Sequence, residues 1–66
     1  MQVVANGAAF VVEDGTTLDA FIRSRALDPR YVIAELNGTP VERARYSSIE
    51  LSDGDRLELV RAVAGG

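Results

Sequence analysis

At 66 residues with no Cys and no His, the chain has room for one domain and neither a disulfide nor a zinc site to brace it, so apolar packing alone must hold it. Seven Arg against ten Asp and Glu give a formal charge of −3, which repels polyphosphate, offers no basic stripe and argues against nucleic-acid binding. With Lys absent too, the side chains supply no thiol, imidazole or amine for nucleophilic catalysis or soft-metal ligation.

The longest apolar run, Ala8 to Val12, is far short of a membrane span. Met1-Gln2 carries no basic leader region, so the cytoplasm is the expected compartment. The runs before and after Asn6-Gly7 are rich in Val and Phe, and that dipeptide readily supplies the positive φ angles of a tight hairpin. Alternation sets Val3, Ala5, Phe10 and Val12 on one side, with Gln2, Val4 and Val11 on the other.

Glu13-Asp14-Gly15 breaks the second run. Thr16 is placed to cap a helix, with Asp19 three residues on as a capping-box acid, and the helix is predicted from about Thr17 to Arg25. Leu18, Phe21, Ile22 and Ala26 make its apolar stripe, while Asp19, Arg23 and Ser24 face water. Leu27-Asp28-Pro29 ends it, because proline disfavours helix in the residue before it.

Tyr31 to Leu36 reads as a third strand and Asn37-Gly38 as a second turn of the first kind. Thr39-Pro40-Val41 suits a short edge segment, where a missing N–H costs little. Glu42 to Tyr46 reads as a turn or single helical loop, and Ile49 and Leu51 as another brief strand. Arg56 to Arg61 is the last strand, with Leu57 and Leu59 inward.

One amphipathic helix cannot be buried alone and must lie across one face of the sheet, which makes an α+β two-layer domain over residues 1–62. The first and last strands, the richest in aliphatic residues, belong side by side at its centre. Val4, Val11, Ile33 and Val60 then face away from the helix and form a candidate partner-binding patch rather than scattered surface valines.

Residues 63–66, Val63-Ala64-Gly65-Gly66, read as a flexible tail beyond the sheet. Glycines without a Cβ can thread a channel too narrow for side chains, Ala64 adds little bulk, and Val63 limits how far the tail inserts. The α-carboxylate of Gly66 is the group best placed to be activated as an acyl electrophile, which casts the chain as a substrate rather than an enzyme. Two glycines at a given end arise by chance in roughly one chain in 200, so the ending does not decide the matter alone.

The element order resembles the β-grasp fold of ubiquitin-like proteins. Asn6-Gly7, Gly15-Thr16-Thr17-Leu18, Leu27-Asp28-Pro29, Glu35-Leu36-Asn37-Gly38, Asp53-Gly54-Asp55 and Ala64-Gly65-Gly66 together look like the ThiS family of thiamine-biosynthesis sulfur carriers, along the whole chain. That resemblance implies a mixed sheet of four to five strands with one main helix packed across one face. It implies a ThiF-type adenylating enzyme that uses ATP and magnesium to turn the Gly66 carboxylate into an acyl-adenylate. Sulfur from a cysteine desulfurase then makes it a thiocarboxylate, which a ThiG-type thiazole synthase consumes. No cofactor is bound by the chain itself, which is expected to be a monomer when free.

For the partner face the resemblance points loosely to Val4, Ile33 and Val60, with Arg61 as a rim charge. Glu35 and Asn37 read better as a solvated strand residue and a turn former than as catalytic groups, and Arg43, Arg45 and Tyr46 as loop and edge packing. The rival readings are the small subunit of molybdopterin synthase, which shares the chemistry but usually runs longer, a non-covalent TGS-type β-grasp module, and a structural adaptor.

Overall fold

Both Asn-Gly dipeptides form the turns that the sequence predicts. Asn6 and Gly7 sit at φ 50° and 82°, and Asn37 and Gly38 at 51° and 84°, the left-handed pair that a two-residue hairpin needs. The computed structural model describes residues 1–62. Its elements are strands β1 (Gln2–Ala5) and β2 (Ala8–Val11), helix α1 (Leu18–Ser24), and strands β3 (Val32–Leu36), β4 (Thr39–Val41) and β5 (Arg56–Arg61). Short 3-10 turns occupy Pro29–Tyr31 and Arg43–Arg45.

The five strands form one mixed sheet in the order β2-β1-β5-β3-β4. β1 and β5 run parallel in its middle and every other pairing is antiparallel. The first and last strands therefore lie side by side, as their aliphatic content suggests. Alternation holds as well: Val3, Ala5, Val32, Ala34, Leu57 and Leu59 are buried on the face that meets Leu18, Phe21 and Ile22 of α1. Phe10 of β2 closes one side of this core, edge-on to Phe21 with ring centroids 5.5 Å apart.

The helix is shorter than predicted and begins one residue later. Thr17, not Thr16, is the cap, its hydroxyl accepting from the Ala20 N–H at 3.1 Å. Thr16 is already committed to the preceding turn, donating its hydroxyl to the Glu13 carbonyl at 2.6 Å. Asp19 does not reach back to the cap but accepts from Arg23 Nε one turn on, at 2.9 Å.

At the other end the helix stops well before Pro29. The Ala26 N–H bonds the Arg23 carbonyl at 2.9 Å and the Leu27 N–H bonds the Ile22 carbonyl at 3.3 Å, a Schellman closure. Ala26 thus leaves the apolar stripe assigned to it: it is exposed and sits at φ 60°, a position usually given to glycine. Holding an L-residue there costs about 1–2 kcal/mol. Part of that is returned by the entropy glycine loses on folding, so Ala26→Gly is expected to stabilise by about 0.5–1 kcal/mol, read as a higher urea midpoint at unchanged slope.

Asp28 caps the turn that follows, accepting from the Arg30 N–H at 2.9 Å. The Arg30 guanidinium and then that backbone bond hold the Asp28 carboxyl down at about 2.

The expected strand at Ile49 and Leu51 is a correction. This segment makes a single bridge, Thr17 with Glu50, and runs along the start of α1 instead of joining the sheet. The reason lies in the unpaired N–H groups of a helix N-terminus. Leu18 N–H bonds the Ile49 carbonyl at 2.9 Å and Asp19 N–H the Tyr46 carbonyl at 3.0 Å, while Leu51, 4% exposed, plugs the core beneath.

Candidate functional site

β5 is the last described strand, and its neighbours β1 and β3 grip it on both sides. The parallel pairing with β1 is short, two residue pairs, and the Asn6 side chain lengthens it. Its amide donates to the Leu59 carbonyl at 3.0 Å and its carbonyl accepts from the Leu59 N–H at 2.8 Å. Asn37 does the same from the other hairpin, accepting from the Arg56 N–H at 2.9 Å and donating to Asp55 at 3.1 Å. Five register pairs with β3 follow, and the Ala62 N–H still bonds the Tyr31 carbonyl at 2.6 Å. The backbone is thus held up to Ala62, the last described residue.

Turn-forming alone would be served by Asp or Gly at either position. Only Asn combines tolerance of positive φ with one donor and one acceptor at the same tip, and that is the signal in the sequence for this second role.

Tyr46 also exceeds its expected part as loop or edge packing. It is 3% exposed, donates its hydroxyl to the Val32 carbonyl at 2.8 Å and accepts from the Ala34 N–H at 3.1 Å. The ring thereby continues the ladder on β3 beyond the end of β4. Tyr46→Phe leaves both backbone groups buried and unpaired, and is expected to cost about 1–3 kcal/mol of unfolding free energy, measured by urea titration. Arg43 packs its Nε on the Pro29 carbonyl at 3.2 Å, and Arg45 is exposed.

The face away from α1 carries the predicted patch. Ile33 stands directly opposite Val60, at 52% and 57% exposure, and this pair lies near the last described residue, Ala62. Val4 is half-buried on the same face, opposite Arg56 on β5. Two register steps from the Ile33–Val60 pair, Glu35 faces Glu58, and neither forms an ion pair among the described residues. Like charges set directly opposite are destabilising, so this pair adds nothing to the fold. Glu35 is the exposed strand residue expected of it, and Glu58 is the companion that sequence reading missed.

Arg61 does not join that patch. Its register partner is the buried Val32, so it lies on the helix side of the sheet, bordering a shallow cavity of about 220 Å³ with Leu27, Asp28 and Tyr31. Val63, Ala64, Gly65 and Gly66, assigned to tail threading and modification, lie outside the described residues. Among the described residues no cluster of three or more acidic, His or Cys side chains is placed to hold a metal. No helix there is long and apolar enough to cross a membrane.

A five-stranded mixed sheet with a parallel central pair and one helix across a single face is a ubiquitin-like β-grasp domain. Its sequence matches the ThiS family over residues 2–66, and the chain belongs to that family. The chain is similar to the sulfur carrier protein ThiS of Bacillus subtilis, at 35% identity over 54 residues and 82% of each chain. It is also similar to a thiazole synthase of Paramagnetospirillum magneticum, at 32% identity over 66 residues. That match takes in 100% of this chain and 20% of the relative, so the chain spans a fifth of that protein's length. The crystal structure of the thiamine biosynthesis protein ThiS from Geobacter metallireducens has the same fold, with a TM-score of 0.83 and 26% identity over 100% of both chains.

Proposed function

We propose that the chain is a sulfur carrier for thiamine biosynthesis, a protein co-substrate whose reactive group is the α-carboxylate of Gly66. The observation that carries this reading is the ThiS family match, which runs through Gly65 and Gly66. A carboxylate is a poor electrophile until a better leaving group replaces one oxygen. Its oxygen attacks the α-phosphorus of ATP on a ThiF-type enzyme, with magnesium, and pyrophosphate leaves. The terminal sulfur of a persulfide formed by a cysteine desulfurase then displaces AMP at the acyl carbon, and a thiol cleaves the resulting acyl disulfide, releasing the thiocarboxylate and leaving a disulfide. Delivery on a protein keeps the sulfur bound and oriented where free sulfide would diffuse away.

The adenylating enzyme docks on the face carrying Val4, Ile33 and Val60, beside the strand exit, while Arg61 flanks that exit from the opposite side. The acceptor is a ThiG-type thiazole synthase. A relative named for that activity contains a segment similar to this chain, and this supports the pairing over the small subunit of molybdopterin synthase. With ThiF-type, desulfurase and ThiG-type enzymes present, cysteine carrying a heavy sulfur isotope should pass its label into the thiazole only when this chain is added. Thiazole labelled equally well without the chain overturns the reading.

A further inference from the structure

The sheet has two edges and guards only one of them. In the hairpin at Asn37-Gly38 the pair Leu36–Thr39 flanking the turn exchanges hydrogen bonds, so Pro40, the next residue of β4, is the one whose backbone faces outward. Proline has no N–H to offer there, and beyond Val41 the Tyr46 hydroxyl closes β3. On β2 the same parity commits Ala8 and Phe10 to bonds with Ala5 and Val3 and turns the N–H and C=O of Ala9 and Val11 outward. Neither residue has a backbone partner beyond its strand among the described residues. The run Ala8 to Val12 contains no charge and no proline, and Val11 is 87% exposed. These are the features by which edge strands invite another strand.

Beside this edge, on the helix side, opens a groove of about 320 Å³ lined by Ala8, Phe10, Arg25, Leu27 and Leu59. The Arg25 guanidinium lies 4.4 Å over the Phe10 ring and forms no ion pair among the described residues. The groove therefore pairs an apolar floor with a cation that no described carboxylate neutralises.

We propose that the free edge of β2 and this groove take an extended peptide segment of a protein partner, one with bulky apolar side chains and an acidic residue. The segment adds a sixth strand through the N–H and C=O groups of Ala9 and Val11. Its inward side chains seat against Phe10 and Leu27, and its carboxylate meets Arg25. Main-chain bonds supply affinity in this mode, while the alternate side chains and the charge supply specificity. The surface lies at the β2 end of the sheet, apart from the Ile33–Val60 pair on β3 and β5, so both can be occupied together.

The test is an amide-shift titration of the isotope-labelled protein with a capped peptide of sequence Val-Ile-Val-Ile-Asp-Glu, beside a control ending in Lys-Lys. The acidic peptide should move the Ala9 and Val11 amides saturably and bind about tenfold or more tightly than the control. Val11→Pro removes one outward N–H without touching the ladder to β1, as Pro40 does on β4, and should weaken binding by a similar factor. Arg25→Glu should reverse the preference toward the lysine peptide. Absent shifts, shifts centred on Ile33 and Val60, or a preference unchanged in Arg25→Glu overturn the proposal. So do concentration-dependent shifts of Ala9 and Val11 without peptide that the peptide fails to displace, which would make a second copy the occupant.

Discussion

Removing Gly65 and Gly66 is expected to abolish sulfur loading while leaving the melting temperature where it was. The two results separate because the sulfur-carrier proposal puts reactivity at Gly66, whereas the described core holds the fold. Among the described residues every buried core residue lies between Val3 and Leu59, and the hydrogen bonds that hold β5 reach as far as Ala62. No described contact is lost with the last two residues, so a thermal melt followed by circular dichroism should coincide with that of the intact chain. Loading requires the acyl carbon to reach the adenylating site in line with ATP, and displacement by about 1 Å can cost on the order of 100-fold in rate. Gly66→Ala keeps the length and adds one methyl group at the reacting residue. Its loading should fall by about that factor, and equal loading of wild type and Gly66→Ala would remove the argument for a slim tail.

Phe21→Ala is expected to have the largest effect on folding. The ring is 1% exposed, centred in α1, and edge-on to Phe10. Truncating a buried phenylalanine costs about 3–5 kcal/mol through lost transfer energy and the cavity left behind. A domain of this size holds only a few kcal/mol in total, roughly 3–5 from its single core, and this chain has no disulfide to fall back on. The variant should therefore be largely unfolded at 25 °C, seen as a loss of cooperative urea unfolding and collapse of amide dispersion. Because α1 covers the inner face of β5, the same change should also end sulfur loading, by a route that Gly66→Ala does not share.

Local chemistry made much of this fold legible. Asn6-Gly7 and Asn37-Gly38 each determine their own turn, and alternation along Arg56 to Arg61 separates Leu57 and Leu59 from Glu58 and Val60. The failures fall where a partner distant in sequence decides. Thr16 and Thr17 are equal as caps until the Glu13 carbonyl claims the first of them. Nothing in an alanine announces the left-handed position that Ala26 occupies. Ile49 and Leu51 alternate whether the segment joins a sheet or fills the start of a helix, and the bonds of Ile49 and Leu51 with Leu18 and Thr16 settle which. Asn6 meets Leu59 across 53 residues of sequence, beyond any local pattern.

The candidate site divides in the same way. Val4, Ile33 and Val60 were legible as one face because period two governs any strand. Arg61 departs from them for that very reason, since the residue after an outward Val60 must point inward. The opposed carboxylates of Glu35 and Glu58 needed the β3–β5 register, which composition does not contain.

The most direct test of the sulfur-carrier reading is the intact mass of this chain after incubation with ATP, magnesium, a ThiF-type enzyme, a cysteine desulfurase and cysteine. The mass should rise by the difference between one sulfur and one oxygen atom, with the change confined to Gly66 on fragmentation. An unchanged mass, under conditions in which the same enzymes load the Bacillus subtilis sulfur carrier, would contradict it.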